Sequence, residues 1–252
     1  MNIETQIINV LKQFNPISLT EMDKVALMKR VDTKYVLTDA QLLEILPNIK
    51  KAYSSLQIDD RRLMKYNSQY FDTDSYDFYL QHHRGKAGRI KIRKRCYVDS
   101  GLCFLEIKRK NKKGATIKKR IKVDELDGFI TNNEQSFLIS SKMPNVDLVP
   151  TLSNSFSRIT LVNKHSVERL TIDLGLQFNY GEPIKGPKGG LVIVEVKQPE
   201  LDRNSPIIKE LRHLGLRPQS MSKYCVGVAL NIASIKHNRF KKHLNLINKK
   251  IA

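Results

Sequence analysis

From Arg89 to Arg95 every second residue is a cation, Arg89, Lys91, Arg93 and Arg95, with Ile90 and Ile92 between the first three. A period of two sends alternate side chains to opposite faces, so this segment fits a β-strand with one charged and one apolar side. The pattern recurs. Glu106, Lys108 and Lys110 alternate with Leu105 and Ile107, and Lys118, Arg120 and Lys122 alternate with Ile117 and Ile121. The turn sequences Asp99-Ser-Gly101 and Asn111-Lys-Lys-Gly114 separate the three runs, which therefore read as an antiparallel meander. Later segments repeat the arrangement with Arg169 and Asp173, then with Glu195 and Lys197 beside Val194 and Val196.

A half-buried sheet ordinarily turns such a face to water. Solvated faces mix signs, because like charges opposite each other across strands repel. Between Arg84 and Lys122 there are sixteen Lys and Arg but only two acids, Asp99 and Glu106, within a chain of 44 Lys and Arg against 25 Asp and Glu, net +19. That imbalance asks for an anionic partner: nucleic acid, an acidic membrane surface, or a phosphate-rich small molecule. With helices on its apolar side, the sheet can close with its cations inward. Two like charges ~4 Å apart cost ~4 kcal/mol at an effective dielectric near 20, a cost that a phosphate chain removes. Glu106, Asp173 and Glu195 are exceptions in this face, either as salt-bridge partners or as holders of Mg²⁺ or Mn²⁺ against phosphate.

The remaining sequence supplies those helices. Ile3, Ile7 and Leu11 recur at helical spacing, Ser18-x-x-Glu21 forms a capping box, and Thr38-x-x-Gln41 caps a helix bearing Leu42, Ile45, Leu46 and Ile49. Strands are expected over 29–37, 53–58, 63–71, 155–162, 166–174 and 191–198, and helices over 124–143, 207–214 and 221–233. The loop 186–190 precedes a strand and lacks the Gly-Lys-Ser/Thr ending of a phosphate loop. A chain of 252 residues suits one large domain. Cys96, Cys103 and Cys225 form no C-x-x-C pair, which suits reduced thiols and a cytoplasmic location. No apolar run is long enough to span a bilayer, so membrane contact is expected only at the periphery, by the inner face.

Several stretches together resemble the VTC domain, the polyphosphate polymerase module of the triphosphate tunnel metalloenzymes. They are Leu27-Met-Lys-Arg-Val-Asp-Thr-Lys-Tyr35, Tyr70-Phe-Asp-Thr73, Arg89-Ile-Lys-Ile-Arg-Lys-Arg95, Phe104-Leu-Glu-Ile-Lys108, Val194-Glu-Val-Lys197 and Ser222-Lys-Tyr224. The resemblance implies an α+β fold: a closed antiparallel β-barrel of about eight strands forming a basic tunnel, with helices outside. It implies one such domain over 1–235, followed by a basic tail over 236–252. Hydrolases of the superfamily begin with Glu-x-Glu-x-Lys, whereas this chain has Arg30-x-Asp32-x-Lys34, which favours the polymerase branch and one principal metal position.

By that resemblance Lys34, Lys91, Arg93, Lys108, Arg120, Arg158, Arg169 and Lys223 act on phosphates in the reaction. Arg30, Arg89, Arg95, Lys110, Lys118 and Lys197 bind substrate, and Glu195, with Glu106 second, holds Mn²⁺ or Mg²⁺. The implied reaction passes the γ-phosphoryl group of ATP to a growing polyphosphate chain. A triphosphatase or polyphosphatase is the alternative within the fold, and a non-catalytic polyphosphate- or RNA-binding module the alternative outside it. Aromatics interleaved with the cations between Arg84 and Lys122 are limited to Tyr97 and Phe104, so no nucleic acid partner is expected.

Overall fold

The computed structural model describes residues 2–23, 30–111, 115–179 and 190–251. Residues 27–29 of the first family-like motif, the turn residues 112–114 and the glycine-containing loop 186–189 lie outside the described residues. Three helices, α1 (Ile3–Leu11), α2 (Leu19–Asp23) and α3 (Asp39–Ile49), accompany strands β1 (Asn15–Ile17), β2 (Val31–Thr38), β3 (Tyr53–Leu56) and β4 (Met64–Asp72). The two N-terminal capping boxes form as read: Ser18 accepts from the Glu21 amide while the Glu21 carboxylate accepts from Ser18, and Thr38 and Gln41 reciprocate in the same way. Next come α4 (Asp77–His83), the meander β5 (Ile90–Tyr97), β6 (Leu102–Lys110) and β7 (Thr116–Val123), and α5 (Asn132–Ser140). The chain then runs through β8 (Val149–Asn163), β9 (Arg169–Asn179), β10 (Leu191–Gln198), α6 (Pro206–His213), α7 (Lys223–Asn231), a 3₁₀ turn at Asn238–Phe240 and α8 (Lys241–Ile251).

Among the described residues ten strands join one sheet. Eight follow the order β2-β10-β9-β8-β4-β5-β6-β7 with every neighbouring pair antiparallel, while β3 pairs with the far end of β8 and β1 lies parallel to β3. Among the described residues no ladder joins the outer strands β2 and β7, so the closure expected from sequence is not made by hydrogen bonds. The sheet is nonetheless strongly curved. Ser222 and Lys223, adjacent in sequence, reach Lys91 on β5 and Asp173 on β9. Those strands are three places apart, about 14 Å in a flat sheet. Bulges in β8 and at Tyr70/Phe71 of β4 supply the local bend.

The two faces of the curved sheet are packed differently. On the convex side Val192, Val194, Val196, Leu170, Ile172, Ile159 and Leu161 meet α1, α3 and α6, and Ile90, Ile92, Leu105 and Ile107 meet Phe78 of α4 and Leu138 of α5. On the concave side α7 lies inside the curve, its Tyr224, Val226 and Val228 against Leu152, Phe156, Leu176 and Ile193. Gly227 makes that approach feasible, since a Cβ there would fall 2.5 Å from Leu152 and 2.6 Å from Phe178. The segment read as a basic tail is folded onto the sheet: Ile247 of α8 is buried in the concave cluster, and Tyr79 donates to the Lys236 carbonyl.

Other departures have local causes. The helix expected over 124–143 begins only at Asn132, because Thr131 and Glu134 form a capping box there and fix the first turn. Its preceding segment is drawn to the sheet by Lys94, which pairs with Asp127 and with Glu134 (2.8 Å) on the convex side. Cys96 and Cys103, expected as separate thiols, sit opposite each other in the β5–β6 register and are joined as a disulfide, while Cys225 is free and buried. No helix among the described residues is long and apolar enough to cross a membrane.

Candidate functional site: a buried cation cluster on the concave face

The parity read from sequence places its cations on the concave side. Three carboxylates organise the cluster. Glu106 on β6, 1% exposed, accepts from Arg93 of β5 at 2.8 Å and 2.6 Å and pairs with Lys118 of β7. Asp173 on β9 takes two bonds from Arg158 of β8, at 2.6 Å and 2.8 Å, and a third from Lys223 at the start of α7. Glu195 on β10 lies 2.5 Å from Lys34 of β2 and 2.8 Å from Lys197. Burial alone would raise these acids. Instead, the flanking cations hold Glu106, Asp173 and Glu195 well below the ordinary carboxylate range, so all three are ionised.

The cations show the complementary strain. Burial, followed by Arg158, pushes Lys197 down to about 8, against the pull of Glu195. Arg95, which donates to the Ser68 hydroxyl at 3.0 Å, is lowered to about 10 by burial and then by Arg93 and Arg158. Lys91 donates to Ser222 at 3.0 Å and is lowered by burial, with Arg93 and Lys34 adding to it. Lys108 stands in the row Lys91–Lys108–Lys118 across three strands. Its ammonium is held far below the ordinary lysine value, first by Arg93 and then by burial. Among the described residues nine basic side chains (Lys34, Lys91, Arg93, Arg95, Lys108, Lys118, Arg158, Lys197 and Lys223) thus face three carboxylates, so the bases of this group outnumber its acids by six.

Not every expected residue joins this cluster. Arg30 is exposed and bound to Asp32 at 2.8 Å, Arg89 reaches the Lys86 carbonyl just before β5, and Lys110 lies at the far end of β6. Arg120 is exposed on β7 with its guanidinium 4.5 Å over the Phe104 ring. Arg169 is the exception: half-buried and opposite Lys197 in register, it shares the cluster's face. His82 lies on α4, and burial together with Lys91, Arg89 and Lys110 lowers it to about 2. It is therefore neutral and adds no charge towards phosphate.

Several contributors escaped the sequence reading. Asp72 receives the amides of Thr73, Phe78 and Tyr79, each at 2.8 Å, and the Tyr224 hydroxyl at 2.5 Å. Two of the family-like stretches thereby meet: the Asp72 carboxylate fixes α4 and α7 together and sets Lys223 in place. Tyr70 stacks on Tyr224 at 5.1 Å and lies beside Arg93; burial pushes its hydroxyl up, but Arg93 and Arg95 outweigh that and lower it. Asn154 is buried, its side-chain amide lacks a hydrogen-bond partner, and it shares a cross-strand row with Ser68, Arg95 and Phe104. Only the register of β4, β5 and β8 could have revealed that row.

The donor set limits how a divalent ion could be held. Among the described residues no three His, Cys, Asp or Glu side chains gather into a metal-binding group, and the cluster's carboxylates stand singly, each between two cations. An all-protein cage does not fit. One ion held by Glu195 together with phosphate oxygens does, since Mg²⁺-type sites commonly pair one or two carboxylates with substrate phosphates.

A family model, that of the VTC domain, matches residues 29–232. Among solved structures, a putative adenylate cyclase from Bacillus halodurans superposes with a TM-score of 0.51 at 12% identity, covering 84% of this chain and 97% of that one. HpAC1 of Hippeastrum, a putative adenylyl cyclase described as having a dominant triphosphatase activity, gives 0.51 at 15% identity, covering 80% and 96%. At these identities the likeness is one of fold. No curated protein matches the chain.

Proposed function

The chain belongs to the VTC domain family, and on that footing we propose that it transfers the γ-phosphoryl group of ATP to an inorganic polyphosphate chain held along the concave cation cluster, with the curved sheet enclosing that chain. The observation that carries the reading is the imbalance of charge: among the described residues nine inward basic side chains against three ionised carboxylates leave a positive interior that a condensed phosphate neutralises. Arg93 and Arg158, whose Nε and Nη2 groups hold Glu106 and Asp173, can offer their remaining guanidinium N–H groups to phosphate oxygens, while Lys91 and Lys108 act as point charges, a mixture that grips a chain and lets it slide.

In-line phosphoryl transfer needs positioning and charge stabilisation more than covalent help. The acceptor is an ionised phosphate, so this chain need supply no base. Glu195 would hold Mn²⁺ or Mg²⁺ against the phosphates; such an ion, when bound, neutralises charge on bridging and terminal oxygens. Lys34 and Lys197 fix the Glu195 carboxylate from both sides, and the Asp173 carboxylate orients Arg158 and Lys223. The alternative, hydrolysis of the terminal phosphate, is favoured by the triphosphatase activity described for HpAC1. Incubation with ATP and Mn²⁺, resolved by phosphorus NMR, separates them: lengthening chains and ADP support transfer, and orthophosphate without chains supports hydrolysis. Glu195→Gln should abolish turnover and leave tripolyphosphate binding within about twofold; near-native turnover would remove Glu195 from the metal-binding role.

A further inference from the structure

Beside the cation cluster the concave face carries a row of rings that phosphate binding does not use. Phe156 of β8 stacks on Tyr66 of β4 at 5.3 Å, Tyr66 meets Tyr97 of β5 at 5.0 Å, and Tyr97 meets Phe104 of β6 edge-on at 5.9 Å. The row changes character along its length. Phe156 and Tyr66 are buried beneath Arg95 and Arg158, whereas Tyr97 and Phe104 are half-exposed. Val98 and Leu102, at the adjoining turn, are exposed large apolar residues.

At the exposed end the Arg120 guanidinium lies 4.5 Å over the Phe104 ring. Its in-register neighbour Glu106 is already clasped by Arg93 and Lys118, which leaves Arg120 to the ring. Arg120 is exposed on an outer strand of the sheet, so it can move by the thickness of a ring without breaking a ladder. Aromatic rings and guanidinium planes are the two surfaces on which proteins stack nucleobases. From Phe104, β6 leads one pleat on to Glu106 and two pleats on to Lys108, about 14 Å. That is the order of the span from base to terminal phosphate in an extended nucleoside triphosphate.

We propose that Phe104 and Arg120 form a clamp for the purine base of the donor nucleotide, so that the nucleotide enters at the β5–β6 turn with its triphosphate directed along Arg93 and Lys108. The clamp rests on the phosphoryl-transfer reading, which requires a nucleoside triphosphate donor. It gives the cation-lined interior a direction: the donor lies at the aromatic end and the acceptor chain approaches from the Lys34–Glu195 end. Arg120, expected from resemblance to contact phosphate, takes the base instead.

Binding of ATP and of inorganic tripolyphosphate to the full chain, measured by calorimetry for the native protein, Phe104→Ala and Phe104→Trp, tests the clamp. Loss of one stacking surface should weaken ATP about fivefold to a hundredfold in Phe104→Ala. Tripolyphosphate should change less than about twofold, and Phe104→Trp should bind ATP at least as tightly as native. Unchanged ATP affinity in Phe104→Ala overturns the clamp, and so does an equal loss for both ligands, which would make Phe104 a wall residue. If the native chain binds neither ligand, the phosphoryl-transfer reading itself falls.

Discussion

Lys108 is the residue at which the charge argument can be made quantitative. Lys91 and Lys118 stand opposite it in register, Arg93 is the largest influence on its ammonium, and no ion pair with it appears among the described residues. Like charges roughly 7 Å apart cost about 2 kcal/mol each at an effective dielectric near 20. Three such neighbours, less the attraction of Glu106 and salt screening, leave about 2 kcal/mol of net strain in the empty protein. Lys108→Met keeps an unbranched side chain and removes the charge. In phosphate-free buffer its thermal midpoint should rise by about 4 to 8 °C, at about 2 to 4 °C per kcal/mol for a domain of this size. Tripolyphosphate should then stabilise the variant less than the native chain. An unchanged or lower midpoint would refute the reasoning, because a cation fanned into bulk water carries no such strain.

The same cluster sets a pH dependence, and Lys94 separates the two faces. Lys197 releases its proton near pH 8 in the folded chain but only near the ordinary lysine value of 10.5 when unfolded. The unfolded state therefore binds more protons across that window, and stability should rise with pH through it; denaturant titrations at several pH values should show a flatter rise in Lys197→Met. Lys94→Met strands Glu134, 4% exposed, beside Asp127, and should cost about 3 to 5 kcal/mol in urea denaturation while leaving tripolyphosphate affinity unchanged. Weakened affinity there would mean that Lys94 shares the phosphate-facing side.

Much of this organisation was legible in the chain because a period of two is a strong signal. Arg89 to Arg95, Leu105 to Lys110 and Ile117 to Lys122 gave the meander and the side on which its alternating cations lie. Lys94, a cation on the apolar parity, was given no role from sequence, and only the structure pairs it with Asp127 and Glu134. Register was the missing quantity. Cys96 opposite Cys103, the row from Asn154 to Phe104, and Asp72 beneath Tyr224 depend on which residues meet across strands or between distant elements, and no local spacing encodes that. Helix α8 eluded the reading because its basic residues mask the apolar positions that carry it, Ile247 being buried.

Lysine acetylation footprinting, with and without tripolyphosphate and read residue by residue by mass spectrometry, tests most directly whether the inward cations hold phosphate. Lys118 and Lys119 are neighbours on an exposed strand, yet their side chains point to opposite faces of the sheet. Protection of Lys91, Lys108, Lys118 and Lys223 with Lys119 unaffected is the predicted result. Equal protection of Lys118 and Lys119 would contradict it.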